Sequence, residues 1–429
     1  MRYNPLDQSF YVANRKNVIG EMEEKSMAIL LSADEYPRCG DTTFPFRQNS
    51  DLLYLCGINQ EETVLTLSPW HPNPDYREIL FVKNPAPEMI TWHGHCLAKE
   101  MAAAISGVKT VLFIEEFESV FHNLALNANA IYVPLMENPR LKVTFPTREN
   151  RFVTQLQKEY PAHTLKRLAP ILYPLRVIKQ AKELNALKKA CEITEKAFMR
   201  AVKAVKPGKY EYEIEAELIY EMLRNGATGH SFAPIIASGK DSCILHYIKN
   251  DKQMQAGDLL LMDFGAEYAN YAGDCSRTVP VSGQFTPRQK SVYEAVLSIC
   301  KDTIPLFKPG MTIHKINDFV FKRMDEELIK LGLYTTEDVR KQNPDKPLFK
   351  QYYMHNTSHF IGLDVHDVGE RDWLFQSGMV LSCEPGIYIA REGIGVRIET
   401  DVVVGDTPID LMSELAVEAD DIEQMVGRQ

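Results

Sequence analysis

Two carboxylates stand where apolar strands would be expected to continue. Asp263 follows Leu259-Leu260-Leu261-Met262, and Glu384 follows Val380-Leu381-Ser382-Cys383, in runs that otherwise read as core. An ionised carboxylate buried without a partner is so unfavourable that it would sooner neutralise through a shift in its pKa. A nearby cation removes that penalty. Asp274, in Tyr271-Ala272-Gly273-Asp274, and Glu399, in Val396-Arg397-Ile398-Glu399, are two further acidic groups beside strand-like runs. One salt bridge would explain any of them, but four in one region are better explained by metal. Four carboxylates carry −4, which two divalent cations balance. Two such ions about 3.5–4 Å apart can hold and deprotonate one water and stabilise the oxyanion of a tetrahedral intermediate. Residues 354–367 add three of the eleven histidines, His355, His359 and His366, within twelve positions. One would ligate metal, and the others would donate to or orient a substrate. The pattern is not HExxH, which sets the zincin arrangement aside. An oxygen-rich shell with one imidazole suits Mn²⁺ or Co²⁺ at least as well as Zn²⁺. Cys275 and Cys383 sit beside candidate ligands, on the opposite strand face, and read as core.

A repeated plan of elements must position these residues. From Lys182 a helix is expected, with Leu184, Leu187, Cys191, Ala197, Phe198, Ala201, Val202 and Val205 recurring mostly at three- and four-residue steps until Lys206-Pro207-Gly208. A second helix carries Ile214, Leu218, Ile219, Met222 and Leu223 and closes at Asn225-Gly226. The plan then recurs. A helix from about Ser291 ends at Lys308-Pro309-Gly310, and another with Ile316, Phe319 and Val320 ends near Gly332. Residues 257–263 match residues 378–384, each a turn glycine, an apolar strand and a carboxylate six positions after the glycine. His246 lies 17 residues before Asp263, and His366 lies 18 before Glu384. Two halves thus repeat helix-helix-strand, the second with a polar insertion around 335–350. Folded face to face, they would set His246 against His366 and Asp263 against Glu384.

The first third reads differently. Residues 27–31, 62–67 and 78–82 are strands of a small α/β domain, interleaved with helical stretches. Leu168-Ala169-Pro170 and Tyr173-Pro174 interrupt any helix and make a linker, giving domains 1–172 and 173–429. A length of 429 residues suits two domains, and 45% hydrophobic with 25% charged residues suits an ordinary globular protein. The net charge of −10 and the lack of any long Lys/Arg run argue against nucleic acid as a partner. No apolar stretch approaches the ~18 residues of a membrane span, and no apolar run follows Arg2 as in a secretory signal. Eight scattered cysteines without a CxxC pair fit thiols in a reducing cytoplasm.

These motifs, in order, resemble the creatinase and methionine-aminopeptidase superfamily with its pita-bread domain, and within it aminopeptidase P. Phe46-Arg47-Gln48-Asn49-Ser50-Asp51 with Tyr54 and Gly57 is similar to that family's N-terminal signature. Ile244-Leu245-His246-Tyr247, Asp263-Phe264-Gly265-Ala266-Glu267-Tyr268, Ala272-Gly273-Asp274, Gly362-Leu363-Asp364-Val365-His366-Asp367, Glu384-Pro385-Gly386 and Gly395-Val396-Arg397-Ile398-Glu399 resemble its site motifs. The resemblance implies an N-terminal creatinase-like α/β domain followed by a pita-bread domain of two pseudo-symmetric repeats. It makes Asp263, Asp274, His359, Glu384 and Glu399 the ligands of two divalent ions, Mn²⁺ first with Co²⁺ or Zn²⁺ as alternatives, and makes Asp274 and Glu399 bridging. His246, His355 and His366 become non-ligand histidines around the substrate, Arg397 a support of the acidic cluster, and Arg371 a substrate-binding arginine. Asn356 departs from the glycine often found there. The implied activity is release of an N-terminal residue joined to a penultimate proline, by a hydroxide held between the metals, in a cytoplasmic homodimer or homotetramer. The alternatives are a prolidase acting on Xaa-Pro dipeptides and a metal-free binding protein of the same fold.

Overall fold

All six residues of the strand Ser26–Leu31 are buried, as the apolar run Met27–Leu31 predicts for a strand covered on both faces. In the computed structural model, which describes residues 3, 5–84, 90–92, 94, 96–138, 140 and 143–426, this strand lies inside a six-stranded mixed sheet. The order is Thr110–Phe113, Glu78–Val82, Val64–Leu67, Ser26–Leu31, Ala130–Val133 and Thr164–Arg167. Ser26–Leu31 pairs antiparallel with Val64–Leu67 and parallel with Ala130–Val133. The expected strand 62–67 begins only at Val64, because Glu62 has a positive φ of 51°. The chain divides into two compact units, one of residues Pro5–Arg176 and one of residues Val177–Gln429 with Met1–Asn4.

The polar residues of the N-terminal signature are structural. Asn49 caps the helix Ser50–Cys56 by accepting the Asp51 and Leu52 N–H groups. Gln48 donates to the carbonyls of Ile58 and Gln60, and Asp51 pairs with Arg176 at 2.6 Å. Gly57 closes that helix at φ 71°, where a Cβ would lie 2.3 Å from the Tyr11 ring, so only glycine fits. The segment read as a linker is instead helical, Ala169–Val177, with Pro174 inside it. Pro170 lies in the first turn, where no N–H is needed, and the Leu168 carbonyl accepts from Ile171 and Leu172.

In the second unit the helix Ala181–Ala204 buries one stripe, including Leu187, Cys191, Phe198 and Val202. Glu183 closes its first turn, accepting the Gln180 N–H and the Tyr271 hydroxyl at 3.0 Å each. Phe198 stacks on Phe264, ring centroids 6.3 Å apart, both fully buried. Each such ring contributes roughly 1.5–3 kcal/mol by burial, and this pair ties the helix to the strand Leu259–Phe264. Glu211–Arg224 follows as the second helix.

The duplication is written in backbone geometry. Gly208 and Gly310 have φ of 88° and 87°, and Gly257 and Gly378 have 89° and 91°. Gly208 N–H donates to Met254, as Gly310 donates to Phe375; Met254 N–H returns to Lys209, as Phe375 returns to Met311. Pro287–Thr303 and Ile313–Lys330 are the second helix pair. The first starts earlier than Ser291 because Thr286 supplies an N-cap and Pro287 stands at N1. The polar insertion carries a short helix, Thr336–Lys341, capped by Thr335. In the first half, Leu259–Phe264 pairs antiparallel with Cys275–Pro280. In the second, Val380–Cys383 pairs likewise with Thr400–Val403. Among the described residues no helix is long and apolar enough to cross a membrane.

Candidate metal centre

Asp263 lies on Leu259–Phe264, opposite Ile235 on one side and Ser276 on the other. Asp274 occupies the short gap before Cys275–Pro280, reached through a tight crossing. A Cβ on Gly265 would lie 1.7 Å from the Gly273 carbonyl oxygen, so glycine is required for the chain to return there. Glu384 follows Val380–Cys383, its N–H donating to the Thr357 carbonyl at 2.9 Å. Glu399 precedes Thr400–Val403, its N–H on the Ser276 carbonyl at 3.1 Å. Both halves therefore read strand, carboxylate, hairpin, carboxylate, strand. His359 breaks the symmetry. It pairs with Ser382 through two hydrogen bonds of 2.9 and 3.0 Å, and Ser382 matches Leu261, whose partner in the first half is Ala237.

Asp274, His359 and Glu399 are buried, and each offers a ligand atom within 4.8 Å of the others. His359 donates from Nδ1 to the Phe360 carbonyl at 3.1 Å, which turns Nε2 toward Asp274 Oδ2, 3.4 Å away. Glu384 Oε1 lies 3.7 Å from the same Nε2, and its Oε2 lies 3.7 Å from His355 Nδ1. Asp263 and Glu384 are outside the three-residue cluster but bear on it, since both raise the Asp274 carboxyl. Arg397 donates to Asp263 Oδ2 at 2.5 Å, Ser276 Oγ at 2.8 Å and the Tyr388 hydroxyl at 3.0 Å. Ser276 in turn donates to Glu399 Oε2 at 2.7 Å. One guanidinium thus braces carboxylates from both halves.

Charge tests whether metal fits. Burial first, then Glu399, Asp263, Asp401 and Glu384, push the Asp274 carboxyl well above the carboxylate range. Burial, Glu384 and Asp263 do the same to Glu399, against Arg397 and Ser276. Asp263 is pushed up by burial despite Arg397, and its Oδ1 is buried with no hydrogen-bond partner among the described residues. Carboxylates gathered this closely without a compensating cation would hold protons. The donor set, acidic oxygens with one imidazole and no thiolate, fits divalent cations. Cys275 and Cys383 are fully buried in the core, and burial pushes the Cys275 thiol up to about 12.

The remaining histidines differ in exposure. His366 is exposed, its ring perpendicular to that of His359 with centroids 4.4 Å apart. His246 is exposed in the turn after the 3₁₀ helix Gly239–Cys243, near enough that its charge bears on Asp263 and His355. His355 is committed to protein on both nitrogens, Nδ1 at 2.7 Å from the Asn356 carbonyl and Nε2 at 2.8 Å from the Tyr388 hydroxyl. Burial, then Arg397, lower it to about 3, so the ring is neutral. Nδ1 therefore carries the proton and Nε2 accepts from Tyr388. Arg371 is exposed in a turn and makes no hydrogen bond or ion pair among the described residues.

Sequence reasoning missed Ser276, Tyr388 and Asp401. The first two carry no signal of their own. Asp401 does: it stands two residues after Glu399 in the apolar strand Thr400–Val403, the same anomaly that marked Asp263. Its Oδ2 accepts the Asp274 N–H at 3.1 Å and the Cys191 thiol at 3.3 Å, and burial raises it to about 8.

Comparison with known proteins adds to this geometry. The profile of Metallopeptidase family M24 matches residues 185–406, and that of the Aminopeptidase P N-terminal domain matches residues 11–132. The chain is 34% identical to the Xaa-Pro aminopeptidase of Escherichia coli over 94% of this chain and 93% of that one. Its structure is similar to zinc-substituted E. coli aminopeptidase P in complex with product, with TM-score 0.89, 31% identity, and 99% and 100% of the two chains covered. Proline aminopeptidase P II from Yersinia pestis is similar too, at TM-score 0.88 and 33% identity over 98% and 99% of the chains.

Proposed function

The chain belongs to metallopeptidase family M24, and from that premise we propose that it releases the N-terminal residue of peptides whose second residue is proline. The observation that carries this reading is the approach of Asp274, His359 and Glu399 to within 4.8 Å, three buried groups with little other reason to gather. Asp263, Asp274, His359, Glu384 and Glu399 would hold two divalent cations, Mn²⁺ in preference to Co²⁺ or Zn²⁺. The chemistry supplied there when the cations are bound is Lewis acidity toward a water and the scissile carbonyl.

The chain's own residues do the rest. Arg397 orients Asp263 and, through Ser276, Glu399, and opposes the effect of burial on both carboxyls. Glu384, whose side chain is 19% exposed against 6% for Asp274, takes a proton from the attacking water and returns it to the prolyl nitrogen as the C–N bond breaks. That nitrogen carries no hydrogen in the substrate, so it must be protonated to leave. His366 and His246, exposed beside the cluster, donate to the scissile carbonyl and orient the peptide. His355, with both nitrogens engaged, lines the site and fixes Tyr388, and Arg371 binds the chain beyond the proline. Eight free cysteines support a reducing, cytoplasmic setting, and the family resemblance supports a homodimer or homotetramer.

Purified enzyme should cleave an Xaa-Pro-Xaa tripeptide with a higher kcat/KM than the matching Xaa-Pro dipeptide, and replacing proline by alanine should remove most of the activity. A tenfold preference corresponds to about 1.4 kcal/mol. Faster cleavage of the dipeptide would make the protein a prolidase.

A further inference from the structure

His246 and His366 occupy exposed turns, yet the residue after each is tied into the protein. Tyr247, buried, donates its hydroxyl to Glu211 Oε2 at 2.8 Å. Glu211 opens the helix Glu211–Arg224, and its Oε1 accepts the Ser238 N–H and hydroxyl at 2.8 and 2.7 Å. Ser238 ends the strand Ile235–Ser238, which pairs with the strand of Asp263. In the other half, Asp367 Oδ2 lies 3.0 Å from Lys179 Nζ, and the two side chains are 1% exposed each. The Lys179 N–H donates to the Gly378 carbonyl at 2.9 Å, at the start of the run leading to Glu384. The Asp367 N–H donates to the Phe360 carbonyl, next to His359. The loop closes so tightly over this pair that a Cβ on Gly362 would lie 2.1 Å from Asp367 Oδ2.

Each half thus links histidine, next residue, buried polar partner and carboxylate-bearing strand. The partners are unlike, an acid with a phenol in one half and an ammonium with a carboxylate in the other, but the connection is the same. A buried ion pair is a poor way to gain stability, since apolar side chains of similar volume commonly serve as well. What it supplies is a fixed position for a turn that would otherwise move.

We propose that Lys179–Asp367 and Glu211–Tyr247 are positioning residues for the reaction, the first acting through His366 and the second through His246. This rests on the reading of those two histidines as substrate-facing groups. A displacement of about 1 Å at a reacting group can lower a rate by about 10²-fold, so the loss on loosening either turn should be large.

The test is a set of double-mutant cycles in kcat/KM on an Xaa-Pro-Xaa tripeptide, with metal content measured in every variant. Asp367→Asn should lower kcat/KM by about tenfold or more at wild-type metal content. It should add less than about twofold in a His366→Ala background and keep its full effect in a His246→Ala background. Tyr247→Phe should show the mirror pattern. A crystal structure of the metal-loaded Asp367→Asn enzyme should show the His366 ring displaced from its 4.4 Å contact with His359, with His246 unmoved. This second readout needs no turnover, so it decides the inference even if the wild-type enzyme fails on prolyl peptides and the functional reading falls. Where Asp367→Asn does not fold, Lys179→Gln with Asp367→Asn leaves no unpaired buried charge and carries the same expectations. Equal losses in both histidine backgrounds, or an undisplaced His366 ring, overturn the inference.

Discussion

Glu183 offers a perturbation whose sign and size follow from its surroundings. Its carboxyl is 1% exposed, and burial raises it from 4.5 to about 7, against the Gln180 N–H, Lys179 and the Tyr271 hydroxyl. A folded-state value above the unfolded one means that the native protein binds more protons between pH 4.5 and 7. Stability contributed by this site is therefore greatest below about 4.5 and is lost as pH rises to about 7. At about 1.4 kcal/mol per tenfold change in proton affinity, the ionised group weakens the native state by on the order of 3 kcal/mol at pH 8, as an upper bound. Glu183→Gln keeps an acceptor for Gln180 or Tyr271 and cannot ionise. Calorimetric Tm of variant and wild type, both metal-saturated, would be compared at pH 5 and pH 8. The variant should gain several degrees on the wild type at pH 8 relative to pH 5, because about 1 kcal/mol moves Tm by roughly 2–4 °C in a unit of this size. A difference in Tm that is the same at both pH values would refute the reasoning.

Chelation should abolish activity and Mn²⁺ or Co²⁺ should restore it, with Glu384→Gln lowering metal occupancy; full activity with less than one metal per chain would be the contrary finding. His359→Ala should lose metal by elemental analysis, whereas His246→Ala and His366→Ala should keep it and lose about 10²–10⁴ in rate. Equal metal loss in all three would reassign the roles. Arg397→Met leaves Asp263 buried without its cation and should weaken metal affinity about 10–100-fold, read by competition with a chelator; unchanged affinity would remove Arg397 from the support of the cluster.

Much of the catalytic unit was legible because its signals are local. Two glycines six residues ahead of a carboxylate announce a duplication, and the chain repeats the same left-handed φ at both. Helix Ala181–Ala204 was legible from its apolar spacing. Helix Ala169–Val177 was not, since proline placement in a first turn depends on the Leu168 carbonyl and not on composition. The histidines drew attention as a cluster, but symmetry in the sequence points at His246 and His366, while the buried one, His359, faces Ser382 where the other half has Ala237. Ser276 and Tyr388 matter because Arg397 reaches them from 121 and 9 residues away, as His355 reaches Tyr388 from 33, relations that only folding creates.

The split of the acidic cluster between the two halves bears on how the protein is made. Glu399 follows Asp274 by 125 residues, and at about 5–20 residues per second a ribosome needs about 6–25 s to add them. During that interval Asp263 has been synthesised while Arg397, the guanidinium it pairs with, has not. Until then Asp263 stays in water or holds a proton, since its ionised form has no partner in the core. Closing the site around ionised acids therefore requires the segment that carries Arg397 and Glu399.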